Sequence, residues 1–309
     1  MRKIIYSFLF MFCALSFVKA ESMVVATYNI RNANAGDSTA GNGWGQRCQY
    51  ITQLIQFHGF DIFGTQEGFY HQLQDMKQAM PGYDYIGVGR DDGKKAGEHS
   101  AIFYRTDRFE VLDHGDFWLS EIEDRPNKGW DAVLPRICTW GEFRDKKSGF
   151  TFLFFNLHMD HVGVKARSES AKLIFKKMKE FPKKLPAMLS GDFNVDQTNE
   201  SYLLLANSGI MRDSYEAADL KYAPNGTFNA FQSDRKTDSR IDHIFLTKEF
   251  DVKKYGILTD TYRSEVKESA VKEQNGNFPK EVSLQKYESR LPSDHFPVMI
   301  VVDFDAPKN

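Results

Sequence analysis

The chain has 309 residues, with 40 lysines and arginines against 42 aspartates and glutamates, and its formal net charge is −2 at neutral pH. This balance excludes a basic protein that grips long polyanions mainly through charge. The length is at the upper end for one domain and is ample for a large hydrophobic core.

The first 20 residues have the pattern of a secretory signal. Arg2 and Lys3 precede an almost wholly apolar run over residues 4–18, and Val18-Lys19-Ala20 offers a cleavage site. The run is shorter than a membrane-spanning helix requires. We therefore expect a periplasmic or secreted monomer without stable membrane insertion, whose single domain covers residues 21–309 and carries a net charge of about −5 after cleavage.

Strand and helix patterns alternate along the remaining chain, and strands outnumber helices. In chain order the sequence predicts strand Met23–Ile30, helix Cys48–Phe57, strand Phe60–Thr65, a helix bearing Leu73, Met76 and Met80, strands Tyr83–Val88 and Ser100–Tyr104, strands Ile137–Arg144 and Phe150–Leu157, a helix from about Lys165 to Phe181, and strands Ala187–Leu189, Ile241–Leu246 and Val298–Phe304. The charged stretch Arg263–Ser289 is weakly patterned and reads as an insertion or long surface loop. We predict an α/β domain of two mainly antiparallel sheets packed face to face, with helices outside.

Two cysteines, Cys48 and Cys138, lie in this domain. Export permits a disulfide between them, but the sequence does not show that they meet, so two free thiols are an equal alternative. Their spacing fits no zinc site.

Several apolar strands end on polar residues that suit metal or phosphate chemistry. These residues are Asn29, Glu67, His158, Asp192 with Asn194, Asp242 with His243, and Asp294 with His295. A turn former, a helix N-terminal acid or a structural histidine would explain each one alone. Their repetition at six strand ends instead indicates one rim of a sandwich, where carboxylates would hold Mg²⁺ or Mn²⁺ and imidazolium and amide groups would neutralise a phosphoester.

Two alternatives remain at this point. His158, Asp160 and His161 resemble the metal box of metallo-β-lactamase-like zinc hydrolases, although Asn156 stands where that box begins with a histidine. A non-catalytic binding protein on the same fold is the other alternative, and binding alone would not need a paired Asp242 and His295.

Six ordered segments resemble the endonuclease/exonuclease/phosphatase superfamily. They are Thr27-Tyr28-Asn29-Ile30-Arg31, Thr65-Gln66-Glu67-Gly68, Asn156-Leu157-His158, Gly191-Asp192-Phe193-Asn194, Ser239-Arg240-Ile241-Asp242-His243-Ile244 and Ser293-Asp294-His295-Phe296-Pro297-Val298. The likeness extends from Met23 to Val302. It implies a four-layer α/β sandwich with the site at one edge of the two central sheets.

The resemblance also implies a role for each of these polar residues. Glu67 would be the principal metal ligand, with Asn29 beside it and Asp294 in or just behind the metal position. Asp192 would orient or deprotonate the attacking water, and Asn194 would hold that water or a phosphate oxygen. His295, paired with Asp242, would contact the scissile phosphate, and His158 would lie near the phosphate or leaving group. The identity of the general base stays open.

The sequence leaves the substrate open among a nucleotide, a nucleic acid, a sugar phosphate and a lipid head group. The segment Asp238-Ser239-Arg240-Ile241-Asp242 lacks the Pro-Ala-Trp-Cys-Asp-Arg signature of inositol phosphatases. Possible substrate contacts are Arg31, Arg90, Lys94, Lys95, Glu98, His99, Arg136 and Asp160. A solvated loop is the alternative for the two lysines, and a structural ion pair is the alternative for Arg136. Trp118, Trp130 and Trp140 could stack on a sugar or base, although core packing is expected for at least two of them.

Overall fold

The computed structural model describes residues 21–181, 184–266, 272–273, 279, 281–282 and 284–305. The expected signal segment, residues 1–20, lies outside the described residues. No helix within the described ranges is long and apolar enough to cross a membrane.

The described chain forms seventeen strands and six helices. The strands are β1 (Glu21–Asn29), β2 (Ile62–Gln66), β3 (Tyr83–Ile86), β4 (Ile102–Arg105), β5 (Phe109–Trp118), β6 (Ile137–Asp145), β7 (Thr151–His158), β8 (Ala187–Asp192), β9 (Arg212–Asp213), β10 (Leu220–Tyr222), β11 (Asp242–Leu246), β12 (Phe250–Ile257), β13 (Tyr262–Glu265), β14 (Lys272–Glu273), β15 (Leu284–Gln285), β16 (Tyr287–Arg290) and β17 (Val298–Phe304). The helices are α1 (Ala35–Thr39), α2 (Trp44–Phe57), α3 (Tyr70–Ala79), α4 (Val164–Glu180), α5 (Glu200–Ala206) and α6 (Ser214–Ala217).

Two large sheets form the centre of the domain. The first has seven strands in the order β10-β12-β17-β1-β2-β4-β3, and the second has six in the order β5-β6-β7-β8-β11-β9. Most neighbours are antiparallel, but β1 with β2, β7 with β8 and β10 with β12 are parallel. The prediction of two mainly antiparallel sheets is therefore confirmed.

Side chains that alternate along the central strands explain the layers. In β7, Phe152 and Phe154 enter the core between the sheets, whereas Leu153 and Phe155 face the opposite way, into the core beneath α4 and α5. The strands β1 and β2 have the same alternation, and their outer side chains pack under α2 and α3. Because both faces of these strands are covered, they read as nearly continuous apolar runs. The result is the four-layer sandwich that the resemblance implied.

The structure corrects the sequence predictions at several places. The strand β5 was missed because it lies at a sheet edge and its middle residues are exposed and polar. The stretch Arg263–Ser289, predicted as a loop, has paired ends in β13 and β16, and much of its interior lies outside the described residues.

Both cysteines are free. Cys48 packs in the core under α2 and Cys138 in the core under α4, so both central sheets separate them. The alternative of two free thiols is therefore the correct one.

A buried polar layer joins the two sheets just below the strand ends. Asn156 of β7 donates to the carbonyl oxygens of Thr65 and Ala101 at 2.9 and 3.0 Å and accepts from Gln66 and Ser190 at 2.7 and 3.0 Å. Thr65, Gln66 and Ala101 belong to the opposite sheet or its adjoining loop, whereas Ser190 lies in the same sheet as Asn156. The space between them is so tight that a Cβ on Gly64 would lie 2.1 Å from Oδ1 of Asn156.

We predict that Gly64→Ala lowers the free energy of unfolding by about 1–3 kcal/mol, since the added methyl must displace buried, fully bonded groups. Gly45→Ala is the matched control, because a Cβ there meets nothing within 4 Å and lies in α2. The control should be neutral or stabilising by up to about 1 kcal/mol. Urea denaturation followed by circular dichroism measures both, and equal stability of the two variants would contradict the tight contact.

Candidate active site

Strand register gathers the polar strand ends at one edge of the sandwich. Parallel pairing sets His158 opposite Asp192, and antiparallel pairing sets Asp242 opposite the same Asp192. The parallel pair β1 and β2 ends with Asn29 opposite Gln66, so that Glu67 follows at the same edge. A close approach of β7 and β8 is possible because residue 191 is glycine, where a Cβ would lie 2.2 Å from the Leu157 carbonyl oxygen.

On one side of the edge, amide groups hold the Glu67 carboxylate. Asn29 Nδ2 donates to Glu67 Oε1 at 3.1 Å and to Asp192 Oδ2 at 3.0 Å, while Asn32 donates to Glu67 Oε2 through its backbone and side-chain nitrogens, both at 3.1 Å. Arg31, Glu67 and Asn194 all have positive φ although none is glycine. Such conformations concentrate at functional sites because surrounding contacts must enforce them.

On the other side, His295 lies between two buried carboxylates. Its Nδ1 is 2.9 Å from Asp242 Oδ2, and its Nε2 is 3.8 Å from Asp192 Oδ2. Burial alone would lower the pKa of His295, but the charges of Asp242 and Asp192 raise it well above its ordinary value. The two carboxylates therefore favour the charged, imidazolium form of His295.

Burial together with the charge of Asp242 raises the pKa of Asp192 to about 7. Burial also raises the pKa of Asp294. A group with a pKa near neutral is also suited to accept a proton during catalysis.

The second histidine of the site, His158, has a lowered pKa, whereas that of His295 is raised. Burial, with Arg136 and Arg90 nearby, holds the pKa of His158 well below its usual range, so the ring is neutral. Asn194 Nδ2 lies 3.0 Å from His158 Nε2 and donates to the Met159 carbonyl at 2.9 Å, and the backbone N–H of Asn194 donates to Asp192. His158 and Asp192 together therefore fix the orientation of Asn194.

A buried arginine that the sequence analysis did not single out braces the loops of the site. Arg47, on α2, donates to the carbonyl oxygens of Asn42, Ile30, Arg31 and Pro292 at 2.7–3.1 Å. It thereby ties the loop after Asn29 to the loop that carries Asp294 and His295. An Arg in an amphipathic helix reads as a surface residue, so no local signal would have revealed it.

The site opens into a cleft of about 580 Å³. Its lining includes Glu67, His158, Asp192, Asn194, Asp294 and His295, together with Arg31, Asp37, Glu98, Leu134, Arg136, His161, Phe228, Ala230, Phe231 and Ile241. Asn29 and Asp242 are fully buried beneath it. The eight residues predicted as catalytic or metal-binding are thus brought together, and their individual roles stay predictions.

The predicted substrate contacts divide into two groups. Arg31, Glu98 and Arg136 line the cleft. His99 does not: it is buried, and its Nδ1 is 3.1 Å from the Gly68 carbonyl oxygen, so its prediction as a substrate contact is wrong. Asp160 is also buried behind the cleft, where it accepts from the backbone of Val162 and Gly163 and faces Arg136 at 3.3 Å.

The other polar and aromatic candidates do not line the cleft. Arg90 pairs with Glu98 at 2.6 Å, and Lys94 and Lys95 are exposed on their loop. Trp118 is buried and donates to the Arg90 carbonyl, while Trp130 and Trp140 pack against the core beneath α4. Core packing of the tryptophans is confirmed.

The donor atoms at the edge suit a divalent cation with a preference for oxygen. Arg31 Nη1 lies 3.5 Å from Asp294 Oδ2 and 3.9 Å from Glu67 Oε2, so both carboxylates face one volume. Asp192, Asp242 and His295 also place ligand atoms within 4.8 Å of one another. In that second group, however, the imidazolium itself bridges the carboxylates. The Arg31 guanidinium lies between Glu67 and Asp294 in a similar way, but its side chain is 32% exposed and can move aside, whereas His295 is buried. Glu67 and Asp294 therefore stay the predicted ligands of a divalent cation.

The zinc alternative does not fit the geometry. His161 Nδ1 and the Asp160 carboxylate both face the Arg136 guanidinium, at 2.9 and 3.3 Å. A cation between these groups would have to displace a buried positive charge. We therefore set aside a zinc site at His158, Asp160 and His161.

Comparison with known proteins settles the class of the chain. A model of the endonuclease/exonuclease/phosphatase family matches residues 26–295. The chain belongs to the endonuclease/exonuclease/phosphatase family. The resemblance seen in the sequence is thus confirmed, and membership supports phosphoester hydrolysis as the reaction class.

Solved structures of this family align with nearly the whole chain. An endonuclease/exonuclease/phosphatase family protein from Bacteroides thetaiotaomicron is 60% identical with a TM-score of 0.86, covering 93% of this chain and 99% of that one. A mannosyl-6-phosphatase from the same species is 60% identical with a TM-score of 0.84, over 91% of this chain and 100% of that one. An uncharacterised protein of Acanthamoeba polyphaga mimivirus is 32% identical over 95 residues, which is 27% of this chain but only 14% of the viral protein.

Proposed function

We propose that the chain is an exported, Mg²⁺- or Mn²⁺-dependent phosphomonoesterase whose substrate is a sugar phosphate of the hexose 6-phosphate class. The observation that carries this proposal is the His295 imidazolium held between Asp192 and Asp242 at the floor of a confined cleft. The relative that acts as a mannosyl-6-phosphatase supports the sugar phosphate.

The size and charge of the molecule favour a small substrate over a nucleic acid. A cleft of about 580 Å³ lies within the range of small-molecule sites. The chain has a formal net charge of −2, whereas non-specific nucleic-acid binding depends on an excess of lysine and arginine. A hexose phosphate is small enough for such a cleft, and its binding does not require a strongly basic surface.

Each side chain of the edge has a task in direct attack by water. Asp192, whose carboxylate accepts hydrogen bonds from Asn29 and from the Asn194 backbone, accepts or orients the proton of the attacking water. His295 donates to a non-bridging phosphate oxygen and stabilises the charge that builds up there. Asn194, fixed by His158, holds the water or a second oxygen.

The carboxylates of Glu67 and Asp294 would hold the divalent ion, and the location of Asn29 lets it orient Glu67. When bound, the ion would neutralise phosphate charge and polarise the phosphorus centre. The raised pKa values of Asp192 and Asp294 fit such an ion, because a nearby cation offsets the cost of keeping buried carboxylates ionised.

Arg136 supplies a reason for preferring a monoester. Its side chain is 4% exposed and lines the cleft, yet Nη1 has no hydrogen-bond partner among the described residues. A buried guanidinium nitrogen without a partner is costly, and a small shift of the side chain toward the cleft would let an additional phosphate oxygen satisfy it. A monoester dianion offers three non-bridging oxygens, whereas a diester offers two.

We expect Glu67→Ala, Asp192→Ala and His295→Ala each to lower kcat on mannose 6-phosphate by about 100-fold or more, since each removes a charge at the reacting phosphate. Asp219→Ala, on an exposed carboxylate away from the cleft, is the control and should retain activity. Phosphate release measures all four, and a chelator should abolish it until Mg²⁺ or Mn²⁺ is restored.

Near wild-type turnover in any two site variants would refute the assignment. An inert wild-type protein across a panel of phosphoesters would favour the binding-protein alternative.

For Arg136→Lys we expect KM on a monoester to rise roughly tenfold, because a lysine cannot reproduce the directed guanidinium hydrogen bonds. Hydrolysis of bis-(4-nitrophenyl) phosphate should change much less. The exposed Arg144→Lys serves as the control. Equal losses on the monoester and the diester would rule out a role in that preference.

Export and the monomeric state are also part of the proposal, and they rest on the sequence pattern of residues 1–20 and on composition. N-terminal sequencing of the protein from its native host should find Glu21 first, and light scattering should give the mass of one chain. A retained Met1, or a mass of two chains, would contradict the respective expectation.

A further inference from the structure

An exposed phenylalanine stands beside the proposed catalytic histidine. Phe228 is 44% exposed and lines the cleft, and its ring meets His295 edge to face with the centroids 5.1 Å apart. The two residues also form a backbone bridge. The Phe228 side chain is apolar, so it cannot take part in the attack on phosphorus, although the cleft around it is lined by charged groups.

The loop that carries Phe228 is held in a costly conformation. Ala230 and Phe231 both have positive φ, at 51° and 58°. The backbone N–H groups of Asn229 and Ala230 donate to the Asp294 carbonyl at 2.8 and 3.1 Å. Non-glycine residues keep such dihedrals only where surrounding contacts enforce them, so the loop is built to fix Phe228 against the Asp294-His295 segment.

Contacts made by Phe231 also hold this loop in place. The Arg47 guanidinium lies 5.4 Å from the centroid of the Phe231 ring, and the Phe231 N–H donates to the Asn229 side chain at 2.8 Å. Arg47 also ties the Asn29 loop to Pro292, as described above. Phe228 is therefore positioned by the same brace as the phosphate site.

We propose that Phe228 is the platform for the leaving group, on which the carbon face of a pyranose ring packs while the phosphate lies against His295. This proposal rests on the proposed function and names the residue that selects the sugar. The ring of Phe228 offers apolar area and a π-face but no hydrogen bond, so it favours a flat C–H-bearing surface. Leu134, which is 37% exposed, adds a second apolar group to the cleft lining.

A platform of this kind should affect only substrates that carry a ring. The experiment therefore compares mannose 6-phosphate with glycerol 3-phosphate, a monoester without a ring, and with adenosine 5′-monophosphate, which adds a nucleobase. The variants are Phe228→Ala, Phe228→Leu and Phe228→Tyr in the full mature protein. Phe57→Ala is the matched control, because Phe57 is 86% exposed at the end of α2 and does not line the cleft.

We expect Phe228→Ala to lower kcat/KM on mannose 6-phosphate about tenfold, chiefly through KM, and to change the value for glycerol 3-phosphate by less than about twofold. Phe228→Leu keeps apolar volume but loses the flat ring, so it should give an intermediate loss even if the alanine variant folds poorly. Phe228→Tyr keeps the flat ring, so it should recover most of the kcat/KM that Phe228→Ala loses on mannose 6-phosphate. The control Phe57→Ala should behave like the wild type.

Equal losses on mannose 6-phosphate and glycerol 3-phosphate would overturn the platform while leaving the proposed phosphatase intact. A larger loss on adenosine 5′-monophosphate than on the hexose phosphate would also overturn it, since the platform would then serve a base. A wild-type protein that releases phosphate from none of the three monoesters would instead remove the proposed function, and the platform with it.

Discussion

The site depends on one electrostatic arrangement, the His295 imidazolium placed between the carboxylates of Asp242 and Asp192. Two buried carboxylates this close would repel each other if both were ionised, and a cation between them offsets part of that cost. The arrangement arises because β11 runs antiparallel to β8 with Asp242 opposite Asp192. A shift of one residue in that register would turn one of these side chains to the other face of the sheet.

Rigid support beneath and beside the edge keeps this charge arrangement in place. Asn156 hydrogen-bonds across the interface between the sheets, so the strand ends of both sheets stay in register with each other. Arg47 performs the corresponding task for the loops by bonding four carbonyl oxygens. The polar side-chain atoms of Asn156 and Arg47 are all paired, and such buried networks fix one geometry where apolar packing alone would tolerate several.

The cleft divides its work between charge and apolar surface. Its lining combines arginines and His295, which suit the phosphate, with the apolar side chains of Phe228, Leu134 and Phe231. A ligand with an anionic end and a less polar ring would satisfy both parts. The division also explains how a family built on one phosphate-binding edge can serve different substrates, since the loops around that edge can change without altering the strands.

The sequence by itself determined most of the central strands and the polar residues at their ends, because strand periodicity and terminal residue types are local properties. Asn29, Glu67, His158, Asp192, Asp242 and His295 could be predicted in this way, and they do converge. Only the tertiary structure decided that His99 is buried away from the cleft, that the cysteines lie in separate cores, and that Arg47, Asn156 and Phe228 matter. Their surroundings come from residues distant in the chain, and no local pattern encodes which carbonyl a buried arginine will reach or which ring a loop will leave exposed.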